Sequence, residues 1–172
     1  MPLNTLHDLL ISQLKDIYNA EKQVVKALPR MARTASHESL AEAFNAHLIE
    51  TNRQIARLEE VFEYLRVSPR GPKCRGMEGL VAEGTEMMAE KGEPSVIDAG
   101  LIADARRVEH YEIAAYTATM ALADTLGQGI IVRLLEKSLE EEAAADHALA
   151  TLARIEVNPE ALAVAVSTES GA

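Results

Sequence analysis

The sequence predicts an all-α protein, a bundle of four long helices arranged as two antiparallel hairpins joined by a long crossover containing a short helix. Three observations carry this. Apolar residues recur at steps of three and four through four long segments, which is the period of one helix face. The composition is that of a helix former: 48% of the 172 residues are hydrophobic, with Ala and Leu dominant, while 3% are aromatic and Trp is absent. Breaks rich in Gly, Pro and Ser separate the segments. The length suits one domain with a sizeable core.

The first helix is expected over residues 5–34. Asn4 or Thr5 can cap it, with Asp8 three residues after Thr5 in near capping-box spacing. Its stripe is Leu10, Leu14, Ile17, Val24 and Leu28, and Glu21 takes the slot between Ile17 and Val24. Pro29 is expected to end or kink it near Leu28, although the pattern resumes at Met31. Ser36 offers an N-cap to the second helix, residues 39–67, with Phe44, Leu48, Thr51, Ile55, Leu58, Phe62 and Leu65 as its stripe. SPRGPKCRGM reads as a loop, residues 77–91 as a short helix, and KGEPS as a second break with Ser95 as a cap. The third long helix covers residues 96–126, with Leu101, Ala105, Val108, Ala115 and Thr119 on one face and Glu112 among them. GQG at 127–129 marks a tight reversal. The fourth covers residues 130–155, with Ile131, Leu135, Ser138, Ala145, Leu149 and Leu152 in line with Glu142. The rest reads as a tail that docks loosely or frays, giving a bundle domain over 1–160 and a flexible tail over 161–172. Short links within each half and a long one between them are the connectivity of a ferritin-like bundle.

A net charge of −10 argues against nucleic acid and against an anionic membrane surface as partners. RGPKCR is a short basic run with no aromatic platform. The single Cys74 excludes an internal disulfide. With no signal-like N-terminus and no apolar run of membrane-spanning length, a cytoplasmic protein is expected.

The chemistry lies in acids that interrupt the stripes. RVEHYEIAAY places Glu109 and Glu112 three apart in an apolar helix, and the other long helices carry Glu21, Glu50, and Glu142 with Asp146 near their middles. His47 and Gln54 stand three before and four after Glu50, on the same side of their helix. In an antiparallel bundle these positions meet at one height. Buried charge costs several kcal/mol, so protons, arginines or metal ions must balance it. Two divalent ions bring four positive charges, and oxygen donors suit Mn and Fe as well as Mg and Ca. The di-metal pattern of such bundles pairs two lone Glu with two Glu-x-x-His motifs. Here the residues three after Glu50 and Glu142 are Arg53 and Ala145. The site expected is therefore carboxylate-rich, with His47 its one imidazole.

DIYNAEKQVVKALPRMA, AHLIETNRQIARLE, MEGLVAEG, RVEHYEIAAY and LEEEAAADHAL resemble the YciE/YciF family of ferritin-like bacterial stress proteins, along nearly the whole chain. That resemblance implies a di-metal carboxylate centre, commonly iron. It carries the ligand role onto Glu21, Glu50, Glu109, Glu112, Glu142 and Asp146. His47 and Gln54 follow as ligands or as groups that hydrogen-bond to them. Spacing alone does not choose between Glu109 and Glu112 as the direct ligand.

Any one of these glutamates alone is most simply a solvated flank residue; their coincidence on four helices is what points to a metal. His110 and His147 read as surface positions, and Glu140 and Glu141 as a solvated acidic face. Arg57, Arg106 and Arg107 can pair with outlying acids. Tyr18, Tyr111 and Tyr116 either relay electrons or donate hydrogen bonds near a metal, or simply pack with their hydroxyls at the bundle edge. The leading functional expectation is a two-ion centre, Fe first and Mn second, acting on peroxide, dioxygen or ferrous ion. The alternative is a metal-stabilised, non-catalytic protein acting by association as a homodimer. Storage in a large cage is weaker, because the tail is short and carries Pro159 near its start.

Overall fold

The computed structural model describes residues 3–169, which form helices and their links with no strand among them. The helices are α1 (Leu6–Thr34), α2 (Glu38–Leu65), α3 (Arg75–Met87), α4 (Pro94–Thr125), α5 (Gly129–Leu152) and α6 (Asn158–Glu169), with a π-helical segment, Ala153–Val157, before α6. Helix α1 packs on α2 and α4, and α5 packs on α2 and α4, so each long helix touches two others. Helix α3 lies against α1 and α4.

Thr5 caps α1 as its spacing predicts. Its hydroxyl accepts the Asp8 N–H at 3.1 Å, and the Asp8 carboxylate accepts the Thr5 N–H at 3.0 Å. Pro29 does not end α1, which runs through it to Thr34. Buried Ala27, Leu28 and Met31 hold this turn in the core, which offsets the missing backbone donor.

Two expected caps are corrected. Ser36 does not cap α2; its hydroxyl donates to Asp98 of α4 at 2.5 Å, and the same carboxylate accepts the N–H groups of Ser36 and His37 at 3.0 and 2.9 Å. A buried acid from another helix thus caps the α1–α2 turn. Ser95 does not cap α4 either. Pro94 occupies the first turn, where its fixed φ and absent N–H cost nothing, and Glu93 is the N-cap. Helix α3 begins earlier than expected and ends at Met87, where α4 comes so close that a Cβ on Gly100 would lie 2.4 Å from the Met87 sulfur. Gly127, at φ +68°, makes the α4–α5 reversal. Beyond α5 the chain stays helical through the π-segment and α6, which reach α4. Residues 170–172 of the expected tail lie outside the described residues.

The core falls into two apolar clusters. One holds Val24, Leu28, Met31, Leu40, Phe44, Met77, Leu101, Ile102 and Leu149. The other holds Leu10, Leu14, Ile17, Leu58, Val61, Phe62, Tyr116, Ile131 and Leu135. Each long helix carries buried polar residues at or between its contributions to the two: Glu21 on α1, His47, Thr51 and Gln54 on α2, Glu109 and Glu112 on α4, Ser138 and Glu142 on α5, while Asp98, Asp104 and Thr119 of α4 are buried outside this band.

Candidate metal centre

Helical periodicity turns these polar positions inward. Glu21, Glu112 and Glu142 each occupy a place in an apolar rhythm, so packing the stripe buries the acid with it. Glu21 and Glu142 are 0% exposed, Glu112 1% and Glu109 2%. His47 of α2 lies among them, its Nε2 3.3 Å from Glu109 Oε1 and 3.7 Å from Glu142 Oε2. One donor atom from each of His47, Glu109, Glu112 and Glu142 can be chosen so that all lie within 4.8 Å of one another. This group can hold a metal ion.

Glu21 approaches from α1. One of its oxygens accepts a short hydrogen bond from the hydroxyl of fully buried Tyr116, and the other has no partner. Gln54 is 0% exposed with neither amide atom satisfied. Glu50 stands at the margin: its side chain is 37% exposed and lies 3.6 Å from His47 Nδ1. Asp146 is turned away from the group of four. It binds Arg106 at 2.7 Å and lies 3.3 Å from His110.

Burial raises the Glu21, Glu109 and Glu112 carboxyls well above the usual glutamate range. Neighbouring acids add to it: Glu142 for both Glu21 and Glu109, and Glu21 then Glu142 for Glu112. The Tyr116 hydroxyl opposes the shift at Glu21. Glu50 is held below the usual range by His47, and Asp146 by Arg106.

Whether a cation fits follows from the unsatisfied atoms. Both oxygens of Glu112 and Glu142, one each of Glu21 and Glu109, both ring nitrogens of His47 and both amide atoms of Gln54 are buried without a hydrogen-bond partner. Each such atom costs about 1–3 kcal/mol or more, so together they rival the roughly 5–15 kcal/mol that holds a whole domain. Donor atoms of His47, Glu109, Glu112 and Glu142, one from each, come within 4.8 Å of one another, and carboxylate and imidazole donors suit hard and borderline divalent ions. The donors fit a metal. Arg57 of α2, whose charge acts on Glu21, is engaged by Glu141 and by Ser138 at 2.9 Å.

The profile of the family described as "Domain of unknown function (DUF892)" matches residues 5–162. Protein YciF of Escherichia coli (strain K12) is 44% identical over 162 residues, which cover 94% of this chain and 98% of that protein. The chain belongs to the YciF family. The crystal structure of the E. coli stress protein YciF superposes with a TM-score of 0.87, covering 90% of this chain and 98% of that one. YcfI of Rhodopseudomonas palustris, described as a candidate structural protein, gives 0.84 at 44% identity over 87% of this chain and 95% of its own. A Xanthomonas campestris protein at 21% identity gives 0.71 over 98% of this chain and 100% of its own, which shows the fold alone.

Sequence reasoning about this YciF-family chain reached every acid in the buried layer. It did not assign Tyr116 to Glu21, because a hydroxyl that crosses from α4 to α1 leaves no local spacing signal. Of the other tyrosines, Tyr18 donates to Glu59 at 2.8 Å and Tyr111 to Asp16 at 2.7 Å. Glu141 is not a solvated surface acid, since it takes a two-pronged bond from Arg57. The Cys74 thiol is buried against Asp16 and Tyr111, at 3.1 and 2.9 Å. It ties the crossover to α1 and α4.

Proposed function

We propose that this protein is a two-ion centre within a ferritin-like bundle, serving the stress response by redox chemistry on peroxide, dioxygen or ferrous ion. The observation that carries the proposal is the set of unsatisfied donor atoms on four buried glutamates, His47 and Gln54. Charge supports two ions: Glu21, Glu109, Glu112 and Glu142 bring four negative charges when ionised, matching two divalent cations.

The order in which each helix passes the two apolar clusters supports the bundle. Helix α1 leaves the Leu10 cluster for the Leu28 cluster, α2 runs the reverse way, α4 runs the same way as α2, and α5 runs as α1 does. That is a hairpin of α1 with α2, a hairpin of α4 with α5, and a crossover carrying α3 between helices that run alike.

In this reading Glu109, Glu112, Glu142 and Glu21 hold the ions, His47 ligates or steadies Glu109 and Glu142, and Glu50 completes the outer side. Gln54 offers its amide oxygen. Asp146 joins only if its bond to Arg106 opens. Iron is the first choice of metal and manganese the second. When bound, such a pair supplies one- or two-electron redox chemistry and polarises an oxygen-containing ligand. The chain's own residues do the rest. Tyr116 holds its proton on Glu21 and fixes that carboxylate's rotamer. The apolar clusters above and below exclude bulk water. The Arg57–Glu141 pair keeps a strong cation beside the layer without placing it inside.

The protein is proposed to be a cytoplasmic homodimer. The relative described as a candidate structural protein favours a second reading, in which bound metal only stabilises the bundle and function is by association. Protein purified without chelator is analysed for metal by mass spectrometry, then assayed for peroxide consumption and ferrous oxidation. Two ions per chain with turnover support the first reading. Two ions without turnover support the second, and no metal overturns both. Light scattering then reads the dimer.

A further inference from the structure

The buried layer is not closed on all sides. Between α2 and α5 lies a cavity of about 250 Å³ lined by Ala43, Phe44, Ala46, His47, Glu50, Glu109, Ala144, Ala145, Ala148 and Leu149. Its wall is unusual in one respect: five of these residues are alanines, so the two helices leave room where larger side chains would meet. At its base are two members of the metal group, His47 and Glu109. His47 is 5% exposed with both ring nitrogens unpartnered, and Glu109 is 2% exposed with one oxygen unpartnered. At its rim is Glu50, with more than a third of its side chain exposed.

A second cavity reaches Glu109 from the opposite side, between α1, α3 and α4. It measures only about 20 Å³ and is walled by Val24, Leu28, Met31, Leu80 and Val81 among others. Roughly 10–15 Å³ admits one water, so that cavity takes a single small molecule and nothing that brings a hydration shell. Of these two, the α2–α5 cavity is the one wide enough for an ion still carrying water.

The geometry points to the α2–α5 cavity as the loading route by which a hydrated divalent cation reaches the buried group, with Glu50 as the carboxylate that first receives it. The inference rests on the metal-centre reading above and deepens it by naming how the ion arrives. The path is a descending series of donors. Glu50 lies 3.6 Å from His47 Nδ1, and His47 Nε2 lies 3.3 Å from Glu109 and 3.7 Å from Glu142. A cation passing inward exchanges waters for protein donors one at a time, so it is never stripped in an apolar wall. An anion gains nothing on this path, because the charged residues lining the cavity are acids. The alanines act by their size alone, and Glu50 acts by its charge.

The test uses the full chain, stripped with chelator and mixed with Co²⁺ in a stopped-flow instrument. The visible bands of bound Co²⁺ report loading, and metal analysis reports the final content. Ala145→Leu and Ala148→Leu narrow the cavity without touching a donor atom. Each is expected to load about tenfold more slowly, as a modest rise in barrier produces, while reaching the wild-type content and keeping the wild-type circular dichroism. Two positions are used so that a folding defect in one leaves the other informative. Glu50→Gln is expected to load more slowly at low ionic strength, with the difference shrinking as salt screens the attraction. Wild-type loading rates in both leucine variants, at full final content, overturn this route and leave the metal centre standing. A wild-type protein that takes up no Co²⁺, Fe²⁺ or Mn²⁺ overturns the metal centre itself.

Discussion

Glu112 concentrates the residue-scale argument: one side chain, 1% exposed, with both oxygens unpartnered. Its charge is costly when no cation is present and useful when one is. Replacing it with Gln should therefore have effects of opposite sign in the two forms. The metal-free protein gains stability, about 1 kcal/mol or more, or some 2–4 °C in melting temperature at this size. The metal-loaded protein retains less metal and loses stability. Calorimetry before and after chelation, with metal analysis alongside, reads both. A Glu112→Gln variant destabilised without metal would mean that the carboxylate has a partner of its own. At this scale Glu21, Glu112 and Glu142 were legible in the sequence because each breaks an apolar rhythm. That Arg106 could pair with an outlying acid was legible, but its choice of Asp146 was not, because the two are 40 positions apart and meet only through the packing of α4 on α5. The same holds for Tyr116 and Glu21, 95 positions apart.

Helix ends decide the element scale. Asp98 accepts three hydrogen bonds from the α1–α2 turn, so Asp98→Ala strands two part-buried backbone donors and a hydroxyl. A loss of about 3 kcal/mol is expected in urea unfolding, with Asp98→Asn recovering part. Thr5→Ala removes a local cap and should cost about 1 kcal/mol. The contrast explains which ends could be read in advance. Thr5 and Asp8 are three residues apart, so spacing reveals them. Ser36 has the right residue type and the right place, but a carboxylate 62 positions away outcompetes the local backbone. The α4–α5 boundary followed the pattern at Gly127, whereas α4 starts at Pro94, inside the expected break, and α1 runs on through Pro29. The stretch after Val157 carries no clear stripe, and its helix lies against α4 and the π-segment.

At the scale of the molecule, the raised carboxyls set the pH response. Glu21, Glu109 and Glu112 hold protons more tightly folded than unfolded. Their stabilising contribution is complete below the ordinary glutamate value, about 4.3, and is lost as pH rises through their raised folded values. Asp146, held low by Arg106, works the other way and loses its contribution in acid. Three buried groups outweigh one partly exposed pair. The metal-free melting temperature should fall between pH 5 and 8, whereas the loaded protein should hold or gain, because protons leaving the site favour the ion. Thermal scans of both forms across that range check it. A metal-free protein that becomes steadily more stable from pH 5 to 8 would contradict the burial argument. The four long segments and the long central break were visible from periodicity alone, and so was the inward set of acids. The width of the gap between α2 and α5 was not, because it depends on which alanines face each other once the helices are packed.

The division of the core by a hydrophilic waist has a kinetic consequence. Apolar contact is the cement of cooperative unfolding, and here it is interrupted midway along every long helix. Without cations the two ends should behave as separate foldons. Amide hydrogens around Leu14 and Leu135 would exchange at one rate and those around Leu28 and Leu101 at another. Ions gripping all four helices at the waist would merge the two classes into one. Hydrogen-exchange mass spectrometry on the stripped and loaded forms would register that fusion as a single shared opening event.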